Sequence, residues 1–171
     1  ELAGLKVERI ISEPTAAAIA YGLYEKTRNT RFLVFDLGGG TFDVSILELF
    51  QNILEVRAVA GDNYLGGEDF TGVLEKLFLQ KKGIDPDRLD AKTRGLVHKA
   101  AESCKLGFTE NTRSEFSCLI DGKEEKLEIT LKEYEEQCEP LLEKIRKPVQ
   151  RSLSDAHIKL SDIDVVVLVG G

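Results

Sequence analysis

The nine residues Phe35-Asp36-Leu37-Gly38-Gly39-Gly40-Thr41-Phe42-Asp43 decide how this chain is read. An apolar run from Arg31 to Phe35 leads into them and a second, from Thr41 to Leu49, leads out, so the pattern predicts strand, glycine turn, strand. Three glycines in a row can take backbone angles closed to other residues, and they let main-chain N–H groups come directly against a ligand. Such a turn can cradle phosphate. Asp36 leaves the first strand and Asp43 enters the second, which sets two carboxylates beside the turn. A cradle flanked by acids suits a nucleotide phosphate with a hard divalent cation, because Mg²⁺ takes oxygen ligands and keeps several waters that carboxylates orient. The plain alternative is a hairpin with a flexible tip. Two acids and Thr41 grouped around the triplet favour the ligand.

Length and composition bound what the rest can be. With 171 residues and 42% apolar content the chain can fill one core or two small ones. A net charge of −7 disfavours unspecific binding to nucleic acid or to anionic membrane. No apolar run reaches bilayer length and the N-terminus carries no signal pattern, so the expectation is a soluble, cytoplasmic protein. Cys104, Cys118 and Cys138 are odd in number and lack CxxC spacing, which reads as reduced packing residues. The chain has no Met, and the apolar run Val165 to Val169 stops at Gly170-Gly171. A core strand is normally followed by the element that covers it, so a fragment of a longer protein is expected.

Before the glycine turn, Glu1 to Leu5 reads as a helix tail and Val7 to Ile11 as a short strand. Ser12-Glu13-Pro14-Thr15 starts a helix that continues through Ala16 to Tyr24, with Pro14 in the first turn where its missing N–H costs nothing and Gly22 near the end. Glu13 is either a partner for the helix dipole or a third acid of the site. After the turn, Ile53 to Ala60 supplies a third strand, and the three pair most simply as an antiparallel meander. Gly66-Gly67-Glu68 then opens a helix to about Gln80, a place where free N–H groups favour anions.

Asp85-Pro86 marks a turn, and Ala91 to Phe108 reads as a helix interrupted by Gly95 and Gly107. Glu102, Lys105 and Thr109 fall on one stripe of it, either as hydrogen-bonding groups for ribose and base or as a solvated Glu–Lys pair. Glu115 to Ile120 and Lys123 to Ile129 flank Asp121-Gly122, a two-residue hairpin signal. Thr130-Leu131-Lys132-Glu133 has the form of a capping box and opens a long helix, which Pro140 and Pro148 are expected to kink. Asp164 to Val169 is apolar at nearly every position, as in a strand of a sheet covered on both faces. His98 and His157 have no acid, Ser or Cys at a recognisable spacing and read as ordinary helix residues.

Together these segments resemble the nucleotide-binding domain of the seventy-kilodalton heat-shock chaperones, the DnaK type. The resemblance rests on Arg9 to Leu23, on Phe35 to Ser45, on Ala60-Gly61-Asp62 with Leu65 to Phe70, and on Val165 to Gly171. It implies an α/β, actin-like ATPase fold (ribonuclease H-like), of which this chain is the second lobe: a mixed sheet with flanking helices over 1–68 and 130–171, and a small α+β upper subdomain over 69–129. It implies ATP or ADP with Mg²⁺, and K⁺ as a further ion. Gly38, Gly39, Gly40 and Thr41 would hold the outer phosphates. Asp36, Asp43 and Glu13 would act on the metal mostly through water, with Asp36, Asp43, Glu13 and Thr41 serving hydrolysis. Gly67 and Glu68 would border the cleft, Glu102, Lys105 and Thr109 would contact adenosine, and Gly170 and Gly171 would pass beside the nucleotide. The implied partners are a J-domain co-chaperone, a nucleotide-exchange factor on the upper subdomain, and unfolded polypeptide through a peptide-binding domain outside this chain.

Three departures from the family pattern stand out. Thr109 takes a position usually Ser, Leu106 one that is Arg in many eukaryotic members, and Ser12 one usually Asn. The short upper subdomain resembles the HscC-like branch. Without a first lobe, the isolated chain is expected to hydrolyse ATP slowly or not at all. The rivals are a sugar kinase or actin-like filament protein of the same fold, and a platform that only binds partners.

Overall fold

The computed structural model describes residues 3–4, 6–22, 29–51 and 53–170. In chain order its elements are α1 (Glu13–Ala20), β1 (Thr30–Leu37), β2 (Phe42–Phe50), β3 (Ile53–Asp62), α2 (Gly67–Lys82), α3 (Ala91–Gly107), β4 (Arg113–Ile120), β5 (Lys123–Thr130), α4 (Leu131–Asp155) and β6 (Val165–Gly170). The chain divides into two compact units, Glu1–Tyr64 with Ile145–Gly171, and Leu65–Lys144. Sequence alone sets the divisions at 68/69 and 129/130. The contacts put them elsewhere because Tyr134 and Cys138, early in α4, belong to the core of the second unit.

The first unit is a four-stranded sheet in the order β3-β2-β1-β6. β1, β2 and β3 form the expected antiparallel meander, with a register shift at Ile46/Leu47, and β6 runs parallel to β1. The start of β6 is tied down by two hydrogen bonds. The Asp164 N–H donates to the Arg31 carbonyl at 3.0 Å, and the Arg31 N–H donates to the Asp164 carboxylate at 2.8 Å. Alternation along the strands turns Phe32, Val34, Leu47, Leu49 and Val167 to one core, on which the small residues Ala17 and Ala18 of α1 pack. α1 starts after Ser12 with Pro14 in its first turn, and Gly22 beyond its end takes φ +67°. The expected continuation to Tyr24 falls partly on residues 23–28, outside those described.

The second unit packs α2, α3 and the early part of α4 with the β4–β5 hairpin. Phe78 and Phe116 stack at its centre with ring centroids 4.0 Å apart, and Leu74, Val97, Ala101, Cys104 and Ile129 close around them. Asp121 (φ +50°) and Gly122 (φ +76°) both take the left-handed region, the backbone that a two-residue turn of this twist requires. Thr130 caps α4, its hydroxyl accepting the Glu133 N–H at 3.2 Å. Burial pushes the thiols of Cys104, Cys118 and Cys138 up, as befits packing residues.

Several expectations need correction. Val7–Ile11 is not a strand, and Ile10 is 88% exposed: among the described residues nothing pairs with its backbone, and a strand exists only through its neighbour. The expected helix tail at Glu1 to Leu5 lies mostly outside the described residues. Gly95 does not interrupt α3, because a solvent-facing glycine costs a helix only about 1 kcal/mol. β6 is covered on one face only; Val167 is buried, while Val166 and Leu168 are 54% and 67% exposed, because β6 is the outer strand of the sheet. His157 lies just past α4 with φ +55°, in the turn rather than the helix. His98 is not isolated from acids. Its Nδ1 lies 2.6 Å from Glu75 and its Nε2 3.3 Å from Glu68, both carried to it by α2.

Candidate functional site

In the first unit, the hairpin register places Asp36 directly opposite Asp43, at the foot of the glycine turn. Directly paired residues point to the same face of a sheet, so the two carboxylates stand side by side. α1 brings Glu13 to that face. Glu13, Asp36 and Asp43 line one cavity of about 200 Å³, with Pro14, Val34, Ser45 and Val59 as its remaining walls. Three acids at an apolar-floored cavity make a strongly electronegative cleft. No group of three or more His, Cys, Asp or Glu among the described residues closes tightly enough to ligate a metal directly. The donors that line the cavity are carboxylate oxygens, the hard ligand type that suits a hydrated divalent cation.

The turn itself is built for approach. The Gly38 N–H closes it by donating to the Thr41 carbonyl at 2.9 Å, while Gly39, Gly40 and Thr41 are exposed. None of the three glycines has a positive φ, so the left-handed freedom expected of them is not what the turn uses. A Cβ on Gly39 or Gly40 would meet nothing within 4 Å, and both residues are exposed, so their backbone lies open from outside. Gly170 ends β6 opposite Leu37 with φ +105°, and a Cβ there would lie 2.0 Å from the Leu37 carbonyl oxygen. Only glycine lets β6 come against the base of the turn. Gly171 lies outside the described residues.

The second unit gathers the other set. α2 begins at Gly67, and before it the Gly66 N–H donates to the Asp69 carboxylate at 2.8 Å, the one bond of a capping box that a glycine N-cap can make. On α3, Glu102 and Lys105 pair at 2.7 Å. They are more than a solvated pair. Lys105 Nζ also donates to the Thr71 hydroxyl at 2.9 Å and to the Gly67 carbonyl at 3.3 Å, and Thr71 Oγ1 lies 2.7 Å from Glu102 Oε2. Lys105 first, then Thr71, hold the Glu102 carboxyl below the usual carboxylate range. Glu68 is in the first turn of α2 and faces His98. Thr109 is exposed, one turn beyond Lys105 and past the end of α3. Leu106 is exposed too.

Sequence reasoning missed Thr71, Gly61 and Ser45. Ser45 had a readable signal: two residues after Asp43 on a strand, it shares that residue's face. Gly61 and Thr71 act through contacts that only the folded chain creates. A larger hollow of about 330 Å³ between α3 and β4, lined by Leu96, Lys99, Ser103, Glu115 and Leu119 among others, has the single carboxylate of Glu115 and no glycine in its lining.

This arrangement, a mixed α/β sheet with an acid-flanked glycine turn at the β1–β2 bend, is that of an actin-like ATPase fold. The chain belongs to the Hsp70 family, whose family model, described as Hsp70 protein, matches residues 1–171. It is 43% identical over 181 residues to the chaperone protein DnaK of Prochlorococcus marinus (strain MIT 9515), covering 100% of this chain and 28% of that relative. It is equally identical over 181 residues to the DnaK of Mycoplasmopsis agalactiae, covering 100% of this chain and 30% of that one. The chloroplastic heat shock 70 kDa protein 7 of Arabidopsis thaliana is 43% identical over 180 residues, 99% of this chain and 25% of its own. The chain thus spans less than a third of the length of these relatives. No helix among the described residues is long and apolar enough to cross a membrane. Because one relative is chloroplastic, family membership does not fix the compartment.

Proposed function

We propose that this chain is the second lobe of a chaperone nucleotide-binding domain, which binds ATP or ADP with Mg²⁺ and hydrolyses ATP to ADP and phosphate when its first lobe is present. The observation that carries this reading is the pairing of Asp36 with Asp43 at the foot of an open glycine turn, with Glu13 on the same cavity. The exposed backbone of Gly39, Gly40 and Thr41 takes the outer phosphates, with Gly38 closing the turn. Asp36, Asp43 and Glu13 hold and orient waters around the phosphates, and Mg²⁺ supplies neutralisation of the polyphosphate charge when bound. Phosphoryl transfer to water gains most of its rate from such positioning and charge neutralisation. Gly170, which ends β6 opposite Leu37, and Gly171 are assigned to the passage beside the nucleotide. In the second unit, Gly67 and Glu68 border the cleft and Glu102, Lys105 and Thr109 serve the nucleoside. K⁺ is a further ion of the site.

Nucleotide state would then regulate binding and release of unfolded polypeptide by a peptide-binding domain, with a J-domain co-chaperone stimulating hydrolysis and an exchange factor gripping the second unit. The reading is tested by calorimetric titration of the two-lobed protein with ATP and Mg²⁺. Wild type should bind, and Asp36→Asn should weaken binding by about tenfold or more, since charge-assisted contacts are the strong ones. Equal affinity in the two proteins would overturn it. The isolated chain should release phosphate slowly or not at all.

A further inference from the structure

Thr71 is a fully buried polar residue of α2. Its Oγ1 lies 2.7 Å from Glu102 Oε2, 2.9 Å from Lys105 Nζ and 3.1 Å from the Gly67 carbonyl oxygen. A lysine ammonium only donates, so the hydroxyl must accept from Lys105 and has one proton left to give. Two acceptors compete for it, and the ionised, closer one is Glu102. Lys105 in turn finds three inward acceptors for its three N–H groups: Glu102 Oε2, Thr71 Oγ1 and the Gly67 carbonyl. The whole arrangement engages one carboxylate oxygen of Glu102. Oε1 takes no hydrogen bond from the described residues, on a side chain that is 40% exposed.

We infer that Thr71 is the positioning residue of the nucleoside subsite: its hydroxyl pins Glu102 and Lys105 as a preformed pair and leaves Glu102 Oε1 as the acceptor for a ligand hydroxyl. The inference rests on the nucleotide reading above and assigns roles within it. Glu102 faces the ligand, a vicinal diol being the donor that suits one free carboxylate oxygen. Lys105 holds Glu102. Thr71 joins both to the backbone at the start of α2. Because the Thr71 proton can turn to the Gly67 carbonyl, Glu102 can strengthen its bond to a ligand without leaving the buried hydroxyl unpaired, a state that would be costly.

Two variants and two readouts test this. Thr71→Val keeps the shape and removes the hydroxyl, and Thr71→Ser restores the hydroxyl. In the chain itself, ¹³C-detected titration of the Glu102 carboxyl should move toward higher pH in Thr71→Val and return in Thr71→Ser. An unmoved titration overturns the assignment. In the two-lobed protein, Thr71→Val should weaken ADP binding by about tenfold, the loss of one hydrogen bond to a charged group, with Thr71→Ser within about twofold of wild type. Affinity for inorganic tripolyphosphate should not change. Equal loss of ADP and tripolyphosphate, unrescued by serine, would mean that Thr71 only packs α2 against α3. A wild-type protein that binds no ADP would sink the nucleotide reading instead, and the Glu102 titration would still decide whether Thr71 holds that carboxylate.

Discussion

Substituting Gly61 by alanine should separate stability from chemistry at the acid-lined cavity. Gly61 is the β3 residue paired with Asp43, and a Cβ placed on it would lie 2.4 Å from Asp43 Oδ1 and 2.5 Å from the Phe42 carbonyl oxygen. Both distances fall about 1 Å short of ordinary contact. The carboxylate can yield by rotating about its side-chain bonds, whereas the Phe42 carbonyl is backbone and yields only if the β2–β3 pair opens. Overpacking of this kind costs about 1–3 kcal/mol, which in a chain of this size lowers Tm by about 2–12 °C. The rotation turns Asp43 away from Asp36, and misplacing a positioning group by about 1 Å costs on the order of 100-fold in rate. The assay is ATP turnover by the two-lobed protein beside thermal unfolding of this chain, for Gly61→Ala, Asp43→Ala and the double variant. In the Asp43→Ala background the contact with the carboxylate is gone but that with Phe42 remains. Gly61→Ala should then cost stability again and turnover almost nothing. Wild-type turnover in Gly61→Ala, or a rate loss that adds in full to that of Asp43→Ala, would refute the reasoning.

Three further outcomes are expected. Phe78→Ala removes a fully buried ring stacked at 4.0 Å on Phe116 and should destabilise the second unit by about 3–5 kcal/mol, read by hydrogen exchange across Leu65–Lys144; a loss under about 1 kcal/mol would contradict the packing described. Gly170→Ala, at φ +105° and 2.0 Å from the Leu37 carbonyl oxygen, should lower Tm clearly, whereas Gly39→Ala, with open space around it and no left-handed φ, should leave Tm unchanged and weaken nucleotide binding by the two-lobed protein. Glu102 is held below the usual carboxylate range by Lys105 and then Thr71, so its contribution is present above that range and lost as pH falls through its own depressed one; the stability difference between wild type and Glu102→Gln should be level from about pH 6 to 8 and shrink below about pH 4, and a difference independent of pH would speak against the pairing.

Elements whose signal is local were legible. The Asp121-Gly122 turn needs two positive φ values and names itself by residue type, and the three strands around the glycine triplet follow from alternation and short connections. What failed were statements about neighbours. Val7 to Ile11 has strand composition, yet composition supplies no partner for its N–H and C=O groups, and none is among the described residues. β6 has the composition of a strand buried on both faces, but the exposure of Val166 and Leu168 depends on what lies beyond it in the sheet. Gly95 shows the converse: a local signal to interrupt the helix is overridden because Val97, Ala101 and Cys104 of α3 are anchored in the core.

The acids divide along the same line. Asp36 and Asp43 flank a short turn, so once the hairpin is accepted its register alone makes them face each other, and sequence suffices. Glu13 comes from a separate element, and its residue type alone left it undecided between dipole partner and site acid; the proposal that it is a site acid rests on the cavity it shares with Asp36 and Asp43. Glu102 and Lys105 could be seen as a pair, but not the reason that they point inward. That reason is Thr71, whose hydroxyl comes from another helix and is unremarkable in sequence. Positioning groups are therefore the hardest to read, since what they hold is fixed by tertiary contact while ligand-facing groups are marked by their own chemistry. At both places the same device recurs: a residue chosen for what it omits or donates, Gly61 beneath Asp43 and Thr71 beneath Glu102, fixes the carboxylate that would meet the ligand.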